Sequence, residues 1–293
     1  MVVHLPVLSR EVNGILRPAR GGIYVDATVG LGGHASHILG EMGGRGLLIG
    51  IDRDEEALKV AQAALQAHGN VKLRHARFSE LEAVLDGLGV EKIDGVLFDL
   101  GVSMLQLKKA ERGFSFMSEE LLDMRMDKTQ RLSAREVVGR YPEKELERIL
   151  REYGEERFAR RIARAIAVAR QKRPVRTCRE LADIVKKVSH GGGRERIHPA
   201  TRTFQALRIE VNDELGELRT GIGSSLNRLS PGGRLAVISY HSLEDRIVKH
   251  SLKDAERAGA AVILTKKPLR PGPEELRENP SARSAKLRGA EKA

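Results

Sequence analysis

The chain has 293 residues, 41% of them hydrophobic and 3% aromatic, with no tryptophan, one cysteine and a net charge of +11. That length suits one large domain or two smaller ones, and so few aromatics argue against base-stacking platforms as the main grip on nucleic acid. The lone Cys178 excludes an intramolecular disulfide and suits a reducing cytoplasm, no apolar run approaches the roughly 20 residues of a membrane span, and no signal peptide is expected from the amino terminus.

Residues 23–28 read as a first strand that runs into an acid, Asp26, and a glycine-rich turn, Gly30-Leu31-Gly32-Gly33. An amphipathic segment with Ala35, Ile38 and Leu39 follows, giving the strand–loop–helix start of a nucleotide-cradling α/β unit. A second strand spans 47–52 and ends at Asp52, with a helix from Asp54 to about His68. Residues 71–74 form a short third strand, and Ser79 is expected to cap a helix running to about Asp86. A fourth strand, 93–99, again ends in an acid, Asp99. Continuous apolar strands alternating with helical periods indicate a buried parallel sheet.

From about Met104 to Val211 the alternation stops and the pattern becomes charged and helical, with helices expected over 143–153, 155–170 and 177–188. Cys178 opens the last of these, which favours a packing role over a nucleophilic one. Gly191-Gly192-Gly193 is a flexible break. The α/β pattern returns with a helix near 213–229, a turn at Pro231-Gly232-Gly233, a strand at 234–239, a helix from Leu243, a strand at 261–265 and a last strand at 285–288. The simplest organisation is a discontinuous cofactor domain, 1–103 with 216–293, interrupted by a helical insertion at 104–215 that serves substrate recognition.

Charge follows the same division. Residues 104–215 hold 26 Lys/Arg against 18 Asp/Glu, residues 266–293 hold 8 against 4, and the remainder holds 17 against 18. A basic region beside a neutral catalytic unit fits a polyanionic substrate; it equally fits a solvated surface rich in Arg and Glu.

The acid before the glycines disfavours a dinucleotide pyrophosphate, because Asp26 repels phosphate, and favours a cationic nucleoside such as S-adenosylmethionine. Asp52 lies 20 residues beyond Gly32 at a strand's carboxyl end, where cofactor domains place an acid on ribose hydroxyls. Phe78 is placed either to cover an adenine or to fill the core. Asp99-Leu100-Gly101-Val102-Ser103 occupies the place of the Asp-Pro-Pro-Tyr motif of amino-group methyltransferases and departs from it. Asp99 is therefore a candidate for the amine, for the cofactor's methionine end, or for both. The block Arg196-Ile197-His198-Pro199-Ala200-Thr201-Arg202 and onward to Arg208 reads as a phosphate- or base-contacting segment, or as a helix entry capped by Thr201. Ser242 with Asp245 resembles a capping box, and His241 beside it is a candidate proton shuttle. His34 and His37 share a helix without further ligands, so no metal site is expected.

Taken together, several segments resemble the RsmH family, also called MraW. They are His4-Leu5-Pro6-Val7-Leu8, the loop 26–34, Gly50-Ile51-Asp52-Arg53-Asp54, Phe98-Asp99-Leu100-Gly101-Val102-Ser103, Arg112-Gly113-Phe114-Ser115-Phe116, Leu122-Asp123-Met124-Arg125-Met126-Asp127, Gly154-Glu155-Glu156, 198–207, Ser242-Leu243-Glu244-Asp245-Arg246 and 281–288. They cover nearly the whole chain in order. The resemblance implies a Rossmann-like, class I methyltransferase sheet with an inserted all-helical domain. It also implies S-adenosylmethionine as cofactor, and methylation of the exocyclic N4 of a cytidine in the decoding region of 16S ribosomal RNA. The family's cofactor positions fall on Gly32, Gly33, His34, Asp52, Phe78, Asp99 and Gln106; His34 and Gln106 come from the resemblance alone. The family commonly has Phe where this chain has Tyr240.

On this reading Asp99 is the candidate catalytic acceptor of the N4 hydrogen, with the backbone carbonyls of Leu100 or Gly101 as alternatives. Arg112, Arg125, Arg202, Arg208, Arg283 and Lys286 are candidates for gripping ribosomal RNA, naked or in an assembling small subunit. The alternative is a non-catalytic RNA-binding assembly factor that keeps the cofactor pocket. An NAD-dependent dehydrogenase leaves Asp26 facing a pyrophosphate.

Overall fold

A computed structural model describes residues 6–189 and 198–293. His4, Leu5, the glycines at 191–193, Arg196 and Ile197 lie outside the described residues. The chain divides into two compact units, 1–101 with 215–293, and 102–214.

The first unit begins with α1 (Ser9–Leu16), β1 (Ile23–Asp26), α2 (Gly33–Met42), β2 (Leu47–Asp52), α3 (Glu55–Ala64), β3 (Val71–His75), α4 (Leu81–Gly87) and β4 (Ile93–Asp99). The second contains α5 (Met104–Lys108), α6 (Ala134–Arg140), α7 (Glu143–Glu152), α8 (Ala159–Lys172), α9 (Cys178–Ser189) and α10 (Thr201–Asn212). The chain then adds α11 (Glu214–Arg228), β5 (Leu229–Ser239), α12 (Ser242–Arg257), β6 (Ala261–Ile263), α13 (Pro273–Glu278) and β7 (Lys286–Lys292).

The strands form one sheet in the order β3-β2-β1-β4-β5-β7-β6, the Rossmann-like class I arrangement that the resemblance implies. Its first five strands are parallel, in keeping with the parallel sheet expected from strands alternating with helices. At the other end β7 runs antiparallel to both β5 and β6, a direction that no sequence expectation addressed. Consecutive residues of a strand point to opposite faces. Tyr24, Leu48, Leu97 and Ala236 accordingly join one apolar layer with residues of α1, α2 and α3. Val25, Ile49, Phe98 and Val237 join the other, with residues of α4, α11 and α12.

Two local expectations change. Ser79 does not cap α4; residues 78–80 form a 3-10 turn in which the Glu80 carboxylate accepts the Arg77 N–H at 2.7 Å. Pro231-Gly232-Gly233 lies within β5, where residues 229–234 face only 93–95 of β4, so the turn is a bulge in a continuing strand. Helices α1 and α13 had no counterpart among the expected elements. They are tied together, because the Glu275 carboxylate accepts the Leu8 N–H at 2.7 Å.

The second unit has its own core, built from the apolar stripes of α6 to α10. Asn212, 1% exposed, closes it at one corner. Its Oδ1 accepts the Met126 N–H at 2.8 Å, and its Nδ2 donates to the Met124 and Arg208 carbonyls, each at 2.8 Å. Cys178 is fully buried, its thiol donates to the Gly113 carbonyl at 3.3 Å, and burial pushes it up to about 12, which suits packing rather than nucleophilic chemistry. Among the described residues no helix is long and apolar enough to cross a membrane.

Candidate active site

Three acids stand at the carboxyl ends of neighbouring strands: Asp26 on β1, Asp52 on β2 and Asp99 on β4. Ligands of open α/β sheets bind beyond these ends. The loop after β1 is shaped by Gly32, whose φ of 88° is open to glycine and strained for any other residue. A Cβ there would also press on Leu65 at 3.3 Å. Gly33 and His34 follow at the start of α2.

Asp52 organises this loop from below. Its Oδ2 accepts the Gly30 N–H and its Oδ1 the Asp54 N–H, both at 2.8 Å. A loop amide that a phosphate-binding turn would offer to its ligand is thus engaged by a carboxylate. Phe78 packs edge-on against Phe98, with ring centroids 5.5 Å apart.

Asp99 is held from three sides. Its backbone N–H donates to Thr28 Oγ1 at 2.6 Å, the Tyr240 hydroxyl donates to Oδ1 at 2.8 Å, and His34 Nε2 lies 3.5 Å from Oδ2. The carboxylate remains 25% exposed while His34 is 7% exposed, so its open side faces away from the core. Burial pulls the His34 imidazole down, but the facing Asp99 carboxylate and the charge of Asp26 outweigh it and hold it above its ordinary value. Burial pushes Asp26 up to about 7 against the pull of His34, and Asp52 up to about 6 against the backbone N–H groups it accepts. The Tyr240 phenol is raised well above its usual range by burial and by Asp99, so it stays a donor.

These shifts predict a stability profile. Asp26 and Asp52 hold their protons more tightly in the folded chain than in the unfolded one, from 3.8 to about 7 and about 6. The stability they confer is complete below about pH 4 and is lost as pH rises to about 7. His34, also raised, loses its contribution in the same direction. The ligand-free protein should therefore melt several degrees higher at pH 5 than at pH 8, on the order of 2–4 kcal/mol. Asp26→Asn should flatten the profile, and equal melting temperatures in scanning calorimetry would contradict it.

His241 is the N-cap of α12 and forms a capping box with Glu244, so the expected Ser242–Asp245 box is displaced by one residue. Asp245 instead accepts from Lys286 at 3.0 Å and from Arg288 at 2.7 Å.

Gln106 lies in the second unit, where its side-chain carbonyl accepts the Ser103 N–H at 3.0 Å. Of the six cations expected to meet RNA, Arg112 is corrected. It is 1% exposed, and its guanidinium donates to the carbonyls of Arg125 at 3.0 Å and Met126 at 2.8 Å, out of reach of any phosphate. Arg125 is clamped by Asp123, Arg208 by Glu214 and Lys286 by Asp245. Arg202 is half-buried and Arg283 exposed, and neither has an acidic partner among the described residues. Sequence reasoning missed Tyr240, whose link to Asp99 follows from strand register: Asp99 pairs with Ile238, two residues before it.

A profile of the MraW methylase family matches residues 1–293. A ribosomal RNA small subunit methyltransferase H from Caldicellulosiruptor bescii is 50% identical over 307 residues, covering all of both chains. The protein of the same name from Persephonella marina is 51% identical over 294 residues, again covering all of both. That from Sulfurihydrogenibium sp. is 48% identical, with 98% of each chain covered.

Proposed function

The chain belongs to the MraW methylase family, and on that premise we propose that it methylates the exocyclic N4 of a cytidine in the decoding region of small-subunit ribosomal RNA, using S-adenosylmethionine. The observation that carries this reading is Asp99. It is a partly exposed carboxylate at a strand end, fixed by Tyr240 and faced by His34 beside an acid-lined glycine loop.

The residues fit the cofactor. Three carboxylates suit a cationic nucleoside, and the engagement of the Gly30 amide by Asp52 leaves the loop poorly equipped for phosphate. Gly32, Gly33, His34, Asp52 and Phe78 would hold it, and Gln106 joins them by resemblance. Bound there, S-adenosylmethionine supplies a methyl group activated on a sulfonium sulfur, which departs as a neutral thioether. The protein's task is then positioning. The N4 lone pair of cytosine is delocalised into the ring, and an acceptor on N4–H favours the pyramidal, nucleophilic geometry. Asp99 provides that acceptor and takes or relays the proton shed after transfer. The target base must leave its stack to reach it.

Incubation of the protein with small-subunit RNA or immature subunits and labelled cofactor, followed by mass mapping of nucleosides, tests the reading. N4-methylcytidine at one position is expected. A label on another base would overturn the N4 assignment, and cofactor binding without transfer would favour the assembly factor.

Tyr240→Phe removes only the donor to Asp99 Oδ1. Cofactor affinity by calorimetry should hold within about twofold, while single-turnover transfer slows about 3–10-fold, less than the full worth of one charge-assisted hydrogen bond because the phenol acts only through Asp99. An unchanged rate would leave the phenol without a part in the reaction.

A further inference from the structure

The exposed face of α8 carries a cationic row, none of whose residues is among the six cations expected to meet RNA. From 157 to 179 the chain has nine Lys/Arg and no acid. Within α8, Ala159, Ile162, Ala163 and Ile166 face the core. Arg160, Arg161, Arg164, Val168 and Lys172 are exposed and recur at three- and four-residue spacing, which puts them on one side of the helix. Arg160, Arg164 and Lys172 have no acidic partner among the described residues. The Arg161 guanidinium lies over the Phe158 ring, 5.4 Å from its centroid, which steadies it without neutralising it.

This arrangement works against helix stability. Two arginines occupy the first turn, where the helix dipole favours acids, and no acid accompanies them. Arg160 and Arg164 stand at i,i+4, where like charges repel. The neighbouring α7 does the opposite: Glu143 and Glu145 open it, and its arginines Arg148 and Arg151 pair with Glu145, Glu152 and Glu147. A thermally robust surface would resemble α7 throughout. A row of unpaired cations over about 20 Å of helix, at 1.5 Å per residue, is instead complementary to a phosphate backbone.

We propose that the exposed row Arg160, Arg161, Arg164 and Lys172 on α8 docks the phosphate backbone of the ribosomal RNA substrate. This rests on the rRNA reading above. The test uses the full chain and a small-subunit rRNA transcript, with dissociation constants measured by filter binding from about 50 to 300 mM monovalent salt. Arg160→Gln/Arg161→Gln/Arg164→Gln should weaken binding about 10–100-fold near 100 mM salt and reduce the slope of log affinity against log salt by about two. The single variant Arg164→Glu should weaken binding in the same direction. A control, Lys59→Gln/Arg151→Gln/Arg257→Gln, removes three cations that already have acidic partners and should leave the slope unchanged. Unchanged binding in the α8 variants, or an equal loss in the control, overturns the proposal. So does a loss confined to anionic phosphatidylglycerol vesicles. Wild-type methyl transfer to the same transcript is scored separately, so a chain that methylates RNA but shows no α8 dependence sinks this surface and not the function.

Discussion

Asp99→Ala is expected to slow single-turnover methyl transfer to small-subunit RNA by about 10²–10³-fold with the cofactor saturating, the usual loss when a group aimed at the reacting centre is removed. The expectation comes from how the side chain is held. Tyr240 fixes one carboxylate oxygen at 2.8 Å and His34 faces the other at 3.5 Å, while the backbone is pinned independently through Thr28 Oγ1. Truncation therefore removes the acceptor without releasing the strand end. It also strips the buried His34 of its main partner, so the imidazole should fall back from its raised value and β4 should stay paired. Asp99→Asn, which keeps an acceptor oxygen but no charge, should fall between the two. Calorimetric cofactor titration separates a binding loss from a transfer loss. Full activity of Asp99→Ala would remove the carboxylate from the reaction and return the acceptor role to the Leu100 or Gly101 carbonyl.

The acids of this site were legible because they sit where apolar runs end. β2 and β4 occupy the residues expected of them, since each carries an apolar run closed by an acid, 47–51 before Asp52 and 95–98 before Asp99. Their parallel pairing with β1 gathers residues more than 20 positions apart in sequence. The antiparallel β7 was not legible. Direction is set by how the tail returns, and Lys-Leu-Arg-Gly-Ala-Glu-Lys carries no signal for it. Tyr240 was hidden for a similar reason, because its partner is 141 positions away and only the β4–β5 register brings them together. Charge was the least readable feature. A guanidinium looks the same in sequence whether it meets solvent, as Arg164 does, a carboxylate, as Arg208 does, or backbone carbonyls in a core, as Arg112 does. The difference lies in neighbours contributed by other elements.

Arg112 gives that difference its sharpest test. Arg112→Met is expected to destabilise the second unit by about 3–5 kcal/mol, because two carbonyls lose their buried donor at about 1–3 kcal/mol each. The Arg125 and Met126 carbonyls would lose the donor they share, and the bend around them has little room to adjust. Gly113 holds φ 70° with space for no side chain, since a Cβ there would stand 2.5 Å from the Leu121 carbonyl oxygen. Met124 holds φ 59°, and Asn212 ties the same bend to the end of α10. Arg112→Lys should recover little, because both carbonyls accept from Nη2 at the far end of the guanidinium, beyond the reach of the shorter lysine side chain. Urea unfolding of the full chain, with hydrogen exchange over 112–126, reads the effect. The salt slope of RNA binding, measured at a temperature where the variant is folded, should match the wild type, since a cation sealed in the core releases no counterion when RNA binds. A reduced slope with undiminished stability would instead place Arg112 on the RNA and contradict its burial.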